Sequence, residues 1–158
     1  MTTPAPRWLS GDEQAAWRSF LDAISLLNGE VEAQLQRDSG LSHADYEILV
    51  RLSEAPNRAL RMSELADRTL FSRSRLSHAV GRLERVGLVR REPFPDDKRG
   101  LCAVLTDQGL GTLEQAAPGH VETVRRHLFD ALTAEQIEQL AGIAQAVIAA
   151  STPDPSAG

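Results

Sequence analysis

The stretch Leu70-Phe71-Ser72-Arg73-Ser74-Arg75-Leu76-Ser77-His78-Ala79-Val80-Gly81-Arg82-Leu83-Glu84-Arg85-Val86-Gly87-Leu88-Val89 decides the fold. Leu76, Ala79, Val80, Leu83 and Val86 recur at helical spacing, so one stripe of a helix is apolar and faces a core. Ser72 is placed as N-cap, and Gly87 supplies the left-handed residue that ends the helix. The opposite face carries Arg73, Ser74, Arg75, Ser77, His78, Arg82 and Arg85, with the first five crowded into the opening turns. Arginine at a helix N-terminus works against the macrodipole, which favours Asp or Glu there. Stability alone does not select these residues, whereas a polyanion lying across that end would. Hydroxyls and guanidinium forks are also the groups that reach phosphates and base edges in a major groove. A solvated basic face is the plainer alternative, and the flanking sequence bears on the choice.

Downstream, Leu88-Val89-Arg90-Arg91-Glu92 and Leu101-Cys102-Ala103-Val104-Leu105 read as two strands joined by an eight-residue tip, Pro93 to Gly100. Such a long tip is a candidate arm, and Lys98 and Arg99 at its end suit the electronegative minor groove. A solvated loop is the competing reading. Upstream, Ser42 with Asp45 opens a helix whose Tyr46, Leu49, Val50 and Leu52 face inward, and Ala55-Pro56-Asn57 stops it. Leu60 to Met62 reads as a short extended piece. Ser63 is then expected to cap a compact helix from Glu64 to about Leu70, with Leu65 and Ala66 on its core side. Two short helices joined by a tight turn, the second bearing an exposed polar row, form a helix-turn-helix.

The outer segments are helical. Ser10 with Glu13 forms a capping box for a helix to about Arg37, with Trp17, Phe20, Leu21, Ile24, Leu27, Val31 and Leu35 as its stripe and Asp38-Ser39-Gly40 as its end. Thr106 caps a helix running with interruptions to about Leu132, with a kink expected near Pro118. Its apolar face carries Leu113, Val121, Val124, Leu128 and Phe129. Thr133 with Gln136 opens a last helix striped by Ile137, Leu140, Ile143, Ala144, Val147 and Ile148. These terminal helices have no sheet to cover, so they are expected to pair with their symmetry mates in a homodimer. A two-fold axis would set two recognition helices in successive major grooves about 34 Å apart, reading a near-palindromic duplex.

Composition agrees with that division. The chain of 158 residues carries a net charge of -5, but between Arg58 and Arg99 eleven Lys and Arg face six Asp and Glu, a local +5 that leaves -10 on the rest. A phosphate footprint needs local positive charge, not global. With Cys102 as the single cysteine there is no intrachain disulfide and no Cys-based metal cluster. The apolar runs fall short of a membrane span and the start lacks a signal-peptide pattern, so a cytoplasmic chain with no membrane association is expected. No Gly-rich phosphate loop, metal spacing or nucleophile set is present, and His43, His78, His120 and His127 fall on separate elements, so neither an enzyme nor a cofactor is expected.

The fold class expected is mainly α, a winged helix-turn-helix lobe with terminal dimerisation helices. Its divisions are a disordered start at 1–9, an N-terminal dimerisation helix at 10–40, the DNA-binding lobe at 41–106, C-terminal dimerisation helices at 107–150 and a disordered tail at 151–158.

From about Trp17 to Ile148 the chain resembles the MarR (multiple antibiotic resistance regulator) family of winged helix-turn-helix repressors. The resemblance is carried by Arg61-Met62-Ser63-Glu64-Leu65-Ala66, Ser72-Arg73-Ser74, Leu83-Glu84-Arg85-Val86-Gly87-Leu88-Val89-Arg90-Arg91, Asp97-Lys98-Arg99 and Leu105-Thr106-Asp107-Gln108-Gly109, in that order and spacing. It implies an obligate cytoplasmic dimer that binds operator DNA, often as a repressor released by a small aromatic or phenolic ligand. The family's Asp-x-Arg wing falls on Asp97 and Arg99, with the Arg entering the minor groove and the Asp shaping it. Its recognition positions fall on Ser72, Arg73, Ser74, Arg75, Ser77 and His78. Arg73 and Arg75 are assigned to bases or nearby phosphates, the serines to phosphate or short base contacts, Arg82 to a phosphate, and His78 either to a base or to solvent.

Trp17, His43 and Tyr46 are the ring-bearing candidates for a ligand site, with core packing the competing role for Trp17 and Tyr46 and a phosphate contact for His43. The relatives that sense organic peroxides use a cysteine near the N-terminus; this chain has none before Cys102, whose position in a wing strand favours packing over redox sensing. A DNA-binding regulator or activator without small-molecule input is the alternative function.

Overall fold

The computed structural model describes residues 5–94 and 97–151, giving the backbone alone for residues 94 and 97–99. In chain order the elements are α1 (Gly11–Ser39), α2 (His43–Ser53), β1 (Ala59–Arg61), α3 (Met62–Thr69), α4 (Arg73–Arg85), β2 (Val89–Phe94), β3 (Asp97–Leu105), α5 (Asp107–His127) and α6 (Ala134–Ser151). Single 3-10 turns lie at Pro56–Arg58 and Phe129–Ala131. The architecture is the mainly helical winged helix-turn-helix expected from the sequence. Among the described residues no helix is long and apolar enough to cross a membrane.

The three-residue turn Leu70-Phe71-Ser72 sets α4 across α3, and both helices lay their apolar stripes on α2. Leu49, Leu52, Leu65, Leu76, Val80 and Leu83 are essentially inaccessible and form the centre of the core. Val31 and Leu35 from the last turns of α1, and Leu113 and Ala116 from α5, close the same core. The outer helices are thus rooted in the lobe at one end only. At 1.5 Å per residue the 29 residues of α1 extend about 44 Å, yet Trp17, Phe20, Leu21 and Ile24 in its first half remain exposed in the single chain. No residue of α6 is buried.

The sheet has the order β1-β3-β2, antiparallel throughout, with Leu60 opposite Ala103 and Arg91 also opposite Ala103 from the other side. The wing differs from its sequence reading. The strands reach further than Glu92 and Leu101: Pro93 faces Leu101, and a register shift then brings Phe94 opposite Asp97. Of the expected eight-residue tip, residues 93–94 and 97–100 thus belong to the strands, and residues 95 and 96 lie outside the described residues. Proline was the misleading signal, because β2 pairs with β3 alone and an edge strand tolerates a missing donor on its free side.

Three further expectations are corrected. First, β1 spans Ala59–Arg61 and not Leu60 to Met62, and α3 begins directly at Met62. Arg61 is the N-cap with no side-chain cap bond, so Ser63 sits inside the first turn and does not cap. The pairing of Arg61 with Cys102 holds the strand to its last residue and leaves no room for a separate cap. Second, Val86 is 59% exposed, because α4 ends at Arg85 and the left-handed turn at Gly87, φ 78°, gives the core position to Leu88. Third, α5 runs uninterrupted through Pro118 but ends at His127 and not near Leu132: Leu128, with φ -130° and ψ -69°, breaks it before the 3-10 turn. A proline forfeits one backbone donor, and the α1–α5 packing around it outweighs that loss.

The other caps follow the sequence. Ser10 with Glu13 and Ser42 with Asp45 form reciprocal capping boxes. Thr133 and Gln136 exchange bonds of 2.9 and 3.2 Å at the entry to α6. Thr106 accepts from the Gly109 N–H at 2.9 Å while its hydroxyl donates to the Gly87 carbonyl at 2.7 Å, tying the start of α5 to the end of α4. A Cβ at Gly109 would lie 2.1 Å from the Leu88 carbonyl oxygen, so only glycine allows this approach.

Candidate nucleic-acid interface

Helix α4 divides cleanly. Leu76, Ala79, Val80 and Leu83 are buried, while Ser72, Arg73, Ser74, Arg75, Ser77 and His78 are all exposed. The Ser72 hydroxyl accepts from the Arg75 N–H at 3.2 Å and caps the helix. No acidic residue lies in the first turn, so the N-terminal dipole is uncompensated by the chain itself. The Arg75 guanidinium lies 4.1 Å over the Phe71 ring, a cation–π contact that limits its rotamers. Just before it, Leu70 adopts φ 55° with its side chain 83% exposed, a left-handed conformation that disfavours leucine.

Arg82 behaves differently from the rest of the row. Its Nη2 donates to Asp45 Oδ1 at 2.9 Å, with the arginine side chain half-exposed and the aspartate 12% exposed. The other Asp45 oxygen accepts from the Ser42 N–H at 3.3 Å. One carboxylate thus caps α2 and holds α4.

A groove of about 480 Å³ runs between α4 and the wing, edged by Arg61, Ser63, Arg73, Ser77 and Arg91. Arg91 Nη2 donates to the Ser77 carbonyl at 2.7 Å, and the Arg91 N–H donates to Glu84 Oε1 at 3.1 Å. The side chains of Asp97, Lys98 and Arg99 lie outside the described residues. Their backbone forms the far end of β3, beyond the groove-lining Gly100 and Leu101.

Of the three ring-bearing ligand candidates, the structure brings two together. Tyr46 is buried with its ring 4.3 Å from that of His120, and the His43 ring is 6.1 Å from His120. Burial raises the Tyr46 phenol pKa, helped by the Glu47 carboxylate. Burial lowers the His120 pKa, and nearby His43 adds to this while Glu47 opposes it. Trp17 is elsewhere, its ring 6.5 Å from Phe20 on the exposed half of α1. A cavity of about 690 Å³ opens beside His43, edged also by Asn28, Glu32, Ser42, Glu47 and Arg75. Cys102 is buried and its thiol donates to the Glu92 carbonyl at 3.4 Å, as a packing residue would.

Sequence reasoning missed Arg91, Asp45 as a partner for Arg82, and His120 as a partner for Tyr46. Only Arg91 left a one-dimensional trace: it lies two residues from Val89 and so shares the strand face that packs on α4.

A family model described as MarR family matches residues 39–100. The chain is similar to Sco3205 of Streptomyces coelicolor, a MarR family transcriptional regulator solved in complex with DNA. The two are 50% identical, the match covers 97% of this chain and 96% of that one, and the TM-score is 0.93. AbsC, a MarR family transcriptional regulator of the same organism, is 47% identical, covering 90% of this chain and 96% of that one with a TM-score of 0.86. Among curated relatives, the HTH-type transcriptional repressor YetL of Bacillus subtilis is 34% identical over 85 residues, 54% of this chain and 51% of that one. The match thus spans about half the length of YetL. All three are transcriptional regulators. The winged lobe, the flanking helices and half of the residues of Sco3205 are shared over nearly both full lengths, and the chain belongs to the MarR family of transcriptional regulators.

Proposed function

We propose that the chain is a cytoplasmic homodimeric regulator that binds a near-palindromic operator, acting as a repressor released by a small ligand. The observation that carries this reading is the exposed row Arg73, Ser74, Arg75, Ser77 and His78 on a helix with no acid in its first turn, beside a groove edged by three arginines. Its position corresponds to the lobe of a relative solved on DNA. In this reading Arg73 and Arg75 reach base edges or adjacent phosphates, and Ser72, Ser74, Ser77 and His78 make short contacts. Asp97, Lys98 and Arg99 carry the wing into the minor groove. Arg82, held by Asp45, orients α4 and offers its remaining donors to a phosphate.

Residues 41–106 form the DNA-binding lobe, and 10–40 with 107–150 form the dimer. The exposed apolar residues of α1 and α6 support that pairing, because such stripes in water are costly and a second copy covers both at once. The ligand is assigned to the cavity beside His43. Arg75 lines it while also standing on the recognition face, so an occupant there draws on a DNA contact.

Selection of bound duplexes from a random pool, followed by anisotropy titration with the full chain, tests this. The expected result is one inverted-repeat motif, bound with a steep salt dependence and weakened by a small aromatic or phenolic compound. Equal binding to every duplex would remove sequence-specific regulation from the account.

A further inference from the structure

Helix α4 carries a single acidic residue, Glu84, on a face otherwise occupied by arginine, serine and histidine. An acid there repels a polyanion, and on electrostatic grounds it is out of place. Its carboxylate is taken up by the wing: Oε1 accepts from the Arg91 N–H at 3.1 Å, and Oε2 lies 3.8 Å from Arg91 Nε. The same arginine reaches about two helical turns back along α4, where Nη2 donates to the Ser77 carbonyl at 2.7 Å. Between these two anchor points lies Gly81, where a Cβ would stand 3.4 Å from Nη2, so the guanidinium rests on the helix. Residues 77, 81 and 84 form one ridge, and Arg91 spans it.

We infer that Arg91 is a positioning residue for DNA recognition: its brace to Ser77 and Glu84 fixes the distance between wing and recognition helix, and so the width of the groove between them. This rests on the reading of α4 and the wing as the DNA-contacting elements. Arg91 sits in β2 three residues before Phe94, the last residue before the tip. Ser77 is itself a groove residue and a recognition-face residue. A change in the brace therefore alters two DNA-contacting elements relative to each other without removing a contact from either. The 3.1 Å bond to Glu84 comes from the Arg91 backbone N–H; the guanidinium adds the Nη2 bond to Ser77 and the 3.8 Å approach of Nε to the Glu84 carboxylate, an arrangement its planar fork sets at once and a point-like ammonium does not.

The test uses the full chain and two duplexes, the selected operator and a scrambled duplex of the same composition, titrated at several salt concentrations. Arg91→Lys keeps the cation but not the fork, and Glu84→Gln removes the negative charge but keeps an acceptor. The brace predicts that each lowers the ratio of specific to non-specific affinity by about tenfold, with the salt slope unchanged. Electrostatics alone predicts that Glu84→Gln tightens binding to both duplexes equally, and that result overturns the inference. So does a fall in affinity for both duplexes with a slope smaller by about one unit, which makes Arg91 an ordinary phosphate ligand. Arg91→Ala is the more severe form, and if it fails to fold the two conservative variants still decide. A wild-type chain that does not distinguish the duplexes overturns the DNA-binding reading itself.

Discussion

Asp45 Oδ1 accepts from Arg82 Nη2 at 2.9 Å, joining the first turn of α2 to the last turn of the recognition helix. The aspartate cannot be replaced by a plain cap residue without freeing the arginine. Asp45→Ala removes both the cap on Ser42 and the pairing of α2 with α4, with an expected loss of about 2 kcal/mol in urea unfolding. Arg82→Ala, on the half-exposed side, is expected to cost about 1 kcal/mol. A double-mutant cycle that shows no coupling between the two would mean the pair does not hold the helices together.

The recognition face predicts a division of labour among arginines. Arg75→Ala is expected to weaken operator binding by about 1–3 kcal/mol and to relax the preferred sequence. Arg99→Ala is expected to weaken binding to all duplexes and reduce the salt slope by about one unit. Anisotropy titrations over a salt series read both, and an unchanged slope for Arg99→Ala removes the wing from the DNA.

Gly109 lies where α5 starts against the end of the helix-turn-helix. Its absent Cβ would meet the Leu88 carbonyl oxygen at 2.1 Å and the Leu105 side chain at 2.7 Å. Gly109→Ala forces the backbone apart at this junction, and a loss of about 2–3 kcal/mol is expected. A melting temperature at or above that of the wild type would show that the junction yields easily.

His120 gives the account a pH dependence. Its folded pKa lies below the ordinary 6.5 because it is buried against Tyr46 and near His43, with Glu47 only partly compensating. Between the two pKa values the unfolded chain binds the extra proton, so the contribution is complete above about pH 6.5 and is lost as pH falls toward the folded value. Denaturant midpoints from pH 7.5 down to 5 are expected to fall more steeply for the wild type than for His120→Gln. Identical slopes would exclude His120 as the source.

The sequence carried most of the lobe because its signals were local. Ser10, Ser42, Ser72, Thr106 and Thr133 cap the helices they were expected to cap, and the stripe on α4 is buried apart from Val86. The failures were of another kind. Ser63 has a cap residue's chemistry but lies beside a strand that pairs to its last residue, and Pro93 reads as a break unless its strand is known to be an edge. The braces that orient the site, Asp45 to Arg82 across 37 residues and Arg91 to Ser77 across 14, join positions with no periodic relationship in the chain. Trp17 and Tyr46 looked alike as stripe aromatics, and only the packing of α5 separates the buried one from the exposed one.

The central claim is that two copies act together, each setting one α4 into its own major groove. Sedimentation of the full chain with a duplex carrying two half-sites one helical turn apart tests it most directly. The account predicts two chains per duplex, with tight binding lost when about five base pairs are inserted between half-sites that must stay about 34 Å apart on one face. One chain per duplex, or affinity indifferent to the insertion, would contradict it.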